Sequence, residues 1–336
     1  MILVTGGTGL VGSHLLHKLS QQGKKIRATY RKGSDIEHVK TIFSYYSKNA
    51  AELFDTIQWI EADLNDIPKL ILAFEDITYV YHCAAYISFD PSDYKKLRKT
   101  NIKGTTNIVN LCISNNIKKL CYVSSISTLG HNSNSINEET FWSGNKDQSA
   151  YAISKYGAEM EVWRGTQEGV SVVIVNPGVI IGPGFWSSGS GLLFQLAYKG
   201  ISYVTEGSTA YVDVKDVTSI MIQLMHSSIE NQRYVLASSN ASYQELISMI
   251  CKAFQVKTPT KIASKSLLSI GWRFDWVLSK LLGRKRRLTK QLSETLLKKS
   301  IYSSDKIKKD LKEFEFIPIT DSVSATCRFF LEEVGS

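Results

Sequence analysis

Three side chains in the middle of this chain have the types and spacing needed to move a proton to or from an oxygen atom. Tyr151 and Lys155 stand four residues apart in a helical pattern, so the phenol and the ammonium lie side by side on one face. A tyrosine has a reference pKa of about 10, and a nearby cation lowers that pKa by favouring the phenolate. Ser125 follows the apolar segment 120–123 and would hold the substrate oxygen. The set predicts acid–base chemistry at a carbonyl or an alcohol.

A strand and a glycine loop at the beginning of the chain would position a nucleotide for this chemistry. The apolar residues 2–4 predict a buried strand, and Gly6, Gly9 and Gly12 lead directly into the helical pattern of residues 15–19. A helix N-terminus offers unpaired N–H groups and a partial positive charge, and glycine lets a diphosphate approach them. The loop therefore predicts a dinucleotide site, although its spacing is G-x-x-G-x-x-G. The alternative is a glycine-rich turn without a ligand.

The residues after the second predicted strand bear on the choice of cofactor. In dinucleotide-binding folds, an acidic residue at this position binds the free 2′-hydroxyl of NAD. This chain has Arg31 and Lys32 instead. Because an arginine fork complements a phosphate, we expect NADP(H) to be preferred over NAD(H). The alternative is a solvated basic turn.

Small residues follow the predicted strand 79–82. Ala84 and Ala85 would let a cofactor lie against the backbone there. His82 ends the strand, and since no base partner is evident beside it, a structural role is favoured over catalysis. The carboxyl ends of strands are where open α/β sheets bind their ligands.

Composition excludes several classes of protein. Of 336 residues, 43% are hydrophobic and 21% are charged, which are globular rather than disordered values. The formal net charge of +9 favours anionic ligands, such as a phosphorylated cofactor or an acidic membrane surface. No zinc-finger or recognition-helix pattern accompanies that charge, so nucleic-acid binding is not expected. No metal site is expected either.

The cysteines and the beginning of the chain bear on its compartment. The five cysteines are scattered and form no C-x-x-C pair, which indicates reduced thiols. A strand that starts at residue 2 leaves no room for a signal peptide. No segment reaches the roughly eighteen apolar residues of a membrane helix. We therefore expect a cytoplasmic protein.

An ordered set of motifs accompanies these features. It comprises Thr5-Gly-Gly-Thr-Gly-Leu-Val-Gly12, Asp63-Leu64, His82-Cys-Ala-Ala85, Asn101 with Gly104 and Asn107, Ser124-Ser125, Tyr151 with Lys155, and Asn176-Pro-Gly178 with Gly182-Pro-Gly184. With this set, the chain resembles the extended short-chain dehydrogenases/reductases, also grouped as NAD(P)-dependent epimerases/dehydratases, over more than half its length. Residues 26–31 are most similar to the dihydroflavonol-reductase and hydroxysteroid-dehydrogenase branch.

The resemblance implies a role for each matching residue. Ser125, Tyr151 and Lys155 would be catalytic, Lys155 would also bind the nicotinamide ribose, and Asp63 would contact the adenine. The cofactor would be bound by Gly6, Thr8, Gly9, Leu10, Gly12, Arg31, Lys32, Asp63, Leu64, Ala84, Ala85, Asn101, Lys155, Pro177 and Gly178. The substrate would be bound by Tyr86, Phe89, Asn176, Phe185 and Trp186. The family's usual histidine is replaced by Asp213.

The resemblance also implies the fold. We expect a Rossmann-type α/β fold with a doubly wound parallel sheet and a smaller, mainly C-terminal α/β domain. Residues 1–176 and 211–235 would form the NADP-binding domain, and residues 177–210 and 236–336 the substrate-binding domain. The sequence leaves the oligomeric state open, a homodimer included.

One amphipathic segment, 267–287, stands outside these motifs. Its apolar residues recur at helical spacing and are followed by the basic residues 284–287; they are Leu267, Ile270, Phe274, Val277, Leu278 and Leu281. An apolar stripe beside a basic cluster suits an anionic membrane surface. It also suits a core-facing helix with a solvated basic cap, which we favour because core packing is the commoner use of such a stripe.

Together the residues and the resemblance predict an NADPH-dependent reductase of a ketone or aldehyde, or the enzyme of the reverse oxidation. The segments 86–89 and 179–186 are apolar and aromatic rather than cationic, as are Trp272 and Trp276. We therefore expect a largely apolar or aromatic substrate, unless these aromatics are ordinary core. One alternative is a nucleotide-sugar epimerase, since family epimerases often carry an asparagine at the position of Asn176. Another is a non-catalytic protein that senses NADP.

Overall fold

Seven parallel strands form the main sheet of the computed structural model, which describes residues 1–130, 135–144, 148–284, 286, 288–312 and 314–334. The strands of the described residues are β1 (Ile2–Thr5), β2 (Ile26–Tyr30), β3 (Ile57–Glu61), β4 (Tyr79–His82), β5 (Lys119–Val123), β6 (Val172–Pro177), β7 (Val179–Ile181), β8 (Tyr203–Val204), β9 (Ser208–Asp213), β10 (Gln232–Leu236), β11 (Ser239–Ser242) and β12 (Lys261–Ile262). The main sheet has the order β10-β6-β5-β4-β1-β2-β3. Strand order reverses between β1 and β4, which creates a crevice at their carboxyl ends. The expected Rossmann-type sheet is confirmed.

Helices cover both faces of this sheet and continue into the C-terminal part. The α-helices of the described residues are α1 (Leu10–Gln21), α2 (Glu37–Ser44), α3 (Ala50–Asp55), α4 (Ile67–Phe74), α5 (Tyr94–Leu97), α6 (Gly104–Ser114), α7 (Ala150–Gln167), α8 (Gly191–Lys199), α9 (Val214–His226), α10 (Tyr243–Ala253), α11 (Lys265–Leu282), α12 (Lys290–Thr295), α13 (Asp305–Asp310) and α14 (Ile319–Val334). Ile126–Thr128 is a 3-10 helix and Arg98–Lys103 is a π-helix.

The central strands are buried on both faces because helices pack on each side. Every residue of β5 and β6 is buried, as expected for parallel strands that are covered on both faces. Leu15 and Leu16 of α1 belong to the core on one face, and Val109 of α6 and Val162 of α7 belong to the core on the other. Fully burying one such side chain stabilises the fold by about 1.5–3 kcal/mol.

Two small sheets and α8, α10 and α14 form a second body with its own core. Its sheets have the orders β11-β9-β7 and β12-β8. Fully buried Phe194 and Tyr211 are part of this core. The chain passes from β9 of the small sheet into α9, which packs against the main sheet, at Asp213.

Asp213 joins these two bodies through both of its carboxylate oxygens. Oδ1 accepts the N–H of Lys215 at 2.6 Å and so caps α9. Oδ2 accepts the hydroxyl of Ser322, in α14, at 2.5 Å. The residue that replaces the family's histidine therefore connects the two bodies.

The helix expected over 267–281 exists as α11, but its apolar stripe faces away from the core. Only Leu268 and Asp275 of α11 are buried, whereas Ile270, Phe274 and Leu281 are 67%, 63% and 75% exposed. The core-facing interpretation is therefore wrong. The reason is that the face opposite the stripe packs against the rest of the protein. Lys285 and Arg287 lie outside the described residues.

Several general expectations can be compared with the structure. All five cysteines are free, as expected. In the described part of the chain, no helix has both the length and the hydropathy needed to span a bilayer. The same residues contain no group of three His, Cys, Asp or Glu side chains placed to bind a metal ion. The cytoplasmic location and the domain limits stay predictions.

Candidate functional site

The loop between β1 and α1 leaves room for a ligand at the N-terminus of the helix. Gly6 has φ of +71°, and a Cβ there would lie 2.7 Å from the Cα of Ala84. A Cβ at Gly12 would lie 2.1 Å from the carbonyl oxygen of Gly6, so only glycine lets α1 pack this closely. A Cβ at Gly9, by contrast, would meet only that oxygen, at 3.5 Å. No side chain caps α1, so its N–H groups and the space at Gly9 fit a cofactor diphosphate.

The remaining residues of the first half that were predicted to bind the cofactor lie around this loop. Thr8 is in the loop, and Leu10 begins α1. Arg31 and Lys32 follow β2 and are exposed. Asp63 is exposed after β3, where its Oδ1 accepts the N–H of Asn65 at 2.9 Å.

Leu64, Ala84, Ala85 and Asn101 continue the same edge of the sheet. Ala84 and Ala85 follow β4, and Leu64 is buried next to Gly104. Asn101 is buried and fully used in internal hydrogen bonds. Its Oδ1 accepts the N–H of Tyr86 at 2.7 Å, and its Nδ2 donates to the Oγ of Ser154 at 2.9 Å. Asn101 thus ties the loop after β4 to helix α7 rather than presenting its amide to a ligand.

Ser125 and Tyr151 lie near each other, close enough for the Ser125 hydroxyl to act on the pKa of the phenol. Ser125 directly follows β5, and its Oγ accepts the N–H of Ser127 at 3.1 Å, which fixes the side chain at the start of the 3-10 helix. Burial raises the pKa of Tyr151 to about 12, and Ser125 opposes this rise. The ring of Phe89 lies 5.9 Å from the ring of Tyr151. The structure therefore brings Ser125, Tyr151 and Phe89 together.

Lys155 is on the same helix as Tyr151, but its ammonium is directed at strand β5. It is 2% exposed, and its Nζ donates to the hydroxyl of Tyr122 and to the carbonyl oxygen of Val123, both at 2.7 Å. Burial lowers the pKa of Lys155 to about 7, against the charge of Glu159, which raises it. Without a nicotinamide beside it, burial of the phenol dominates and the pKa of Tyr151 is raised.

A row of buried polar side chains extends from Lys155 to the glycine loop. Thr105 lies close enough to Tyr122 to oppose the rise of the Tyr122 pKa that burial causes, and the Oγ1 of Thr105 lies 3.0 Å from Nε2 of His82. Nδ1 of His82 lies 2.6 Å from the Oγ1 of Thr5, the residue before Gly6. Burial lowers the pKa of His82 to about 3, so the imidazole is neutral at pH 7. His82 has the structural role that was favoured for it.

A second buried network holds the segment that carries Ser125. Glu159, fully buried one turn after Lys155, accepts hydrogen bonds from Ser124 at 2.5 Å and from Thr128 at 2.8 Å. It also forms an ion pair with Arg233 at 3.1 Å. These contacts fix residues 124–128 on both sides of Ser125. The sequence analysis missed Glu159, although its i+4 spacing from Lys155 was the available signal.

Asn176 belongs to this network and not to an open pocket. It is fully buried, and its Nδ2 donates to Thr128 and to Glu159, both at 2.9 Å. Its Nδ2 is therefore used within the network, and its contact with the substrate stays a prediction. Pro177 ends β6, and Gly178 packs where the two bodies meet, since a Cβ there would lie 2.4 Å from the carbonyl oxygen of Ala210.

The other residues expected to bind substrate lie in three places. Tyr86 and Phe89 lie in the loop after β4, where the Tyr86 hydroxyl donates to Asp93 at 2.9 Å. The ring of Phe185 lies 5.1 Å from His38, next to α2. Trp186 is buried in the core of the second body, 5.0 Å from Phe330. Packing therefore accounts for Trp186, and the structure does not bring it to Tyr151.

Comparison with known proteins identifies the class to which this fold and this site belong. The chain matches the NAD dependent epimerase/dehydratase family over residues 2–237. It therefore belongs to that family. The family and the relatives indicate that it is an oxidoreductase of the extended short-chain dehydrogenase/reductase type.

Individual relatives are reductases by name. A putative dihydroflavonol 4-reductase from Synechocystis is 28% identical over 83% of this chain and 79% of its own length. Cinnamoyl-CoA reductase 1 from Petunia hybrida is 28% identical over 78% of this chain and 80% of its own length. The crystal structure of gox2253 superposes with a TM-score of 0.80 at 26% identity, covering 99% of this chain and 98% of that one.

A solved epimerase shares the fold alone. UDP-glucose 4-epimerase from Thermus thermophilus, in complex with NAD, has a TM-score of 0.74 at 20% identity and covers 98% of both chains.

Proposed function

We propose that this protein reduces a ketone or an aldehyde to an alcohol with NADPH, or catalyses the reverse oxidation. The observation that carries the proposal is the proximity of Ser125 to Tyr151, one helical turn from Lys155, at the carboxyl ends of the main sheet. The reductase names of the relatives at 28% identity support this reading.

The residues of the site divide the reaction between them. A bound nicotinamide would supply the hydride to the substrate carbon. Ser125 would hold the carbonyl oxygen, and Tyr151 would give its hydroxyl proton to that oxygen as the C=O bond becomes C–OH. The ammonium of Lys155, in the next turn of α7, would favour the phenolate that the transfer leaves on Tyr151. The uncapped N-terminus of α1 would hold the cofactor diphosphate.

The preference for NADP(H) is supported by the exposed Arg31 and Lys32 at the end of β2. Neither side chain is buried, so both are accessible to a 2′-phosphate. Losing one charge-assisted contact should weaken NADP(H) binding by about 1.5–3 kcal/mol, roughly ten- to a hundredfold. Titration of both cofactors against the wild type and Arg31→Ala tests this. Equal affinity of the wild type for NAD(H) and NADP(H) would contradict it.

The expected substrate is largely apolar or aromatic. In the loop after β4, Phe89 is 37% exposed and lies beside Tyr151, and Ile87 of the same loop is 57% exposed. Asn176, which favoured the epimerase alternative, is buried, and its Nδ2 donates to Thr128 and Glu159, while its Oδ1 has no hydrogen-bond partner among the described residues. The apolar loop beside Tyr151 supports the reductase over the epimerase.

A panel of aromatic and aliphatic ketones and aldehydes, followed by NADPH absorbance, tests the reaction. The reductase consumes one NADPH for each carbonyl reduced. Interconversion of UDP-sugars without net NADPH consumption would support the epimerase instead. Tight NADPH binding without turnover of any carbonyl would support the sensing protein.

A further inference from the structure

Helix α11 presents a stripe of exposed apolar side chains to solvent. Ile270, Phe274, Val277 and Leu281, at spacings of four, three and four residues, are 67%, 63%, 43% and 75% exposed. Such spacing places all four on one face of a helix. Exposed apolar patches of this kind mark surfaces that bind a partner or a membrane.

The same segment holds most of the excess positive charge of the protein. Residues 265–290 contain eight basic residues and one acidic residue, which gives +7 of the chain's net +9. The acidic residue, Asp275, is buried and paired with Arg284 at 2.9 Å, so it faces away from the exposed stripe. The exposed surface of α11 is therefore apolar and basic.

Aromatic and basic side chains are paired along α11 in the manner of helices at a bilayer interface. The guanidinium of Arg273 lies 4.4 Å from the ring centre of Trp272, and the Nζ of Lys280 lies 4.3 Å from that of Trp276. In such pairs the ring and the aliphatic stem reach the acyl boundary while the charge stays at the headgroups.

We propose that α11 docks this protein on the surface of an anionic lipid bilayer. The apolar stripe would enter the boundary between headgroups and acyl chains, and the basic residues would bind the anionic headgroups. The net charge of the segment favours an anionic bilayer over a second copy of the chain as the partner of this surface. A symmetric contact through α11 would bring two segments of +7 together, whereas an anionic surface neutralises the charge.

The proposed docking surface lies next to the candidate active site. The hydroxyl of Thr289, just after α11, donates to the carbonyl oxygen of Phe89 at 2.9 Å. Phe89 in turn contacts Tyr151. A protein docked through α11 would thus hold its site close to the bilayer, where an apolar carbonyl compound dissolves. This last step rests on the proposed function, whereas the docking itself does not.

Sedimentation with vesicles tests the docking without any assay of activity. The wild type should pellet with vesicles of phosphatidylcholine and phosphatidylserine and remain in solution with phosphatidylcholine alone. Phe274→Ser should lower the partition coefficient at least about tenfold, because it removes the largest side chain of the stripe. Leu72→Ser, at a site on α4 that is 54% exposed, is the matched control and should not change it.

Charge variants complete the test. Lys280→Gln should lower the partition coefficient about fivefold, and Lys24→Gln, an exposed lysine after α1, should leave it nearly unchanged. A wild type that stays in solution with anionic vesicles overturns the proposal, as does equal binding to both vesicle types. A dimer that Phe274→Ser dissociates, without vesicle binding by the wild type, would assign the surface to a second copy.

Discussion

Lys155 donates a hydrogen bond of 2.7 Å to the hydroxyl of Tyr122, on the strand that faces its helix. The phenol oxygen is one of two acceptors of this buried ammonium, the other being the carbonyl oxygen of Val123. An acceptor stabilises the charged form of an amine, whereas burial destabilises it. Tyr122 is therefore a positioning residue, since it both orients Lys155 and supports its charge.

Tyr122→Phe should move the alkaline limb of the pH–rate profile. The pKa of Lys155 is lowered by burial to about 7, so Lys155 is charged below that pH and neutral above it. Losing the acceptor costs the charged form about 1.5–3 kcal/mol, which lowers the pKa further. We expect the limb to shift by about one to two pH units towards acid.

Tyr81→Phe is the control for this shift, because Tyr81 is also 1% exposed and lies on the neighbouring strand β4. It should leave the limb in place. A Tyr122→Phe enzyme that is slower at every pH, with an unmoved limb, would show that Tyr122 acts only through packing.

Tyr151→Phe should lower kcat by about a hundred- to ten-thousandfold, because only the proton-transferring hydroxyl is lost. NADPH affinity, measured by fluorescence titration, should stay within about twofold, far below the tenfold that 1.4 kcal/mol would produce. Tyr156→Phe on the same helix is the control, since Tyr156 stacks on Trp142 at 4.5 Å. Near-normal turnover by Tyr151→Phe would remove the proton donor from the mechanism.

Gly9→Ala and Gly12→Ala should separate cofactor binding from folding. A Cβ at Gly12 collides with the carbonyl oxygen of Gly6 at 2.1 Å, so the free energy of unfolding should fall by about 1–3 kcal/mol. A Cβ at Gly9 has space within the protein and should leave thermal stability unchanged. It should nevertheless weaken NADPH binding by about tenfold or more, because it occupies the space for the diphosphate.

Thermal unfolding without NADPH measures the loss of stability, and the rise of the unfolding temperature on adding NADPH measures the loss of cofactor binding. If Gly9→Ala bound NADPH as tightly as the wild type does, the diphosphate would have to lie elsewhere.

Glu159→Gln should destabilise the protein by about 3–5 kcal/mol, because it leaves the paired Arg233 without its buried counter-charge. Urea unfolding measures this change. Glu161→Gln, on the same helix and paired with the half-exposed Arg164, should cost less than about 1 kcal/mol. Equal effects of the two substitutions would mean that the Glu159 network carries no special stability.

Local sequence patterns were sufficient to predict the parts of the site that lie within a single segment of the chain. The β1 strand, the glycine loop and the Tyr151–Lys155 spacing each occupy one short stretch, and the structure has the strand and the helix where they were expected. Tyr122 and Thr105 could not be predicted in the same way, because their contacts form only when strands and helices that are distant in the chain pack together.

One expectation failed, and one side chain has surroundings that were not foreseen, for a related reason. A hydrophobic period shows that a helix has an apolar face, but it does not show which neighbour covers that face, as α11 illustrates. An asparagine at a strand end can face a ligand or a buried carboxylate, and only the fold shows that Asn176 binds Glu159.

The double contact of Asp213 couples a helix of the main sheet to a helix of the second body through one side chain. One oxygen caps α9, and the other binds Ser322 of α14. A carboxylate can accept both hydrogen bonds, whereas a neutral imidazole, the group usual in the family at this position, has a single acceptor nitrogen and would have to meet Ser322 as a donor. In this protein, any displacement of α14 relative to α9 therefore has to break the hydrogen bond to Ser322 or uncap α9.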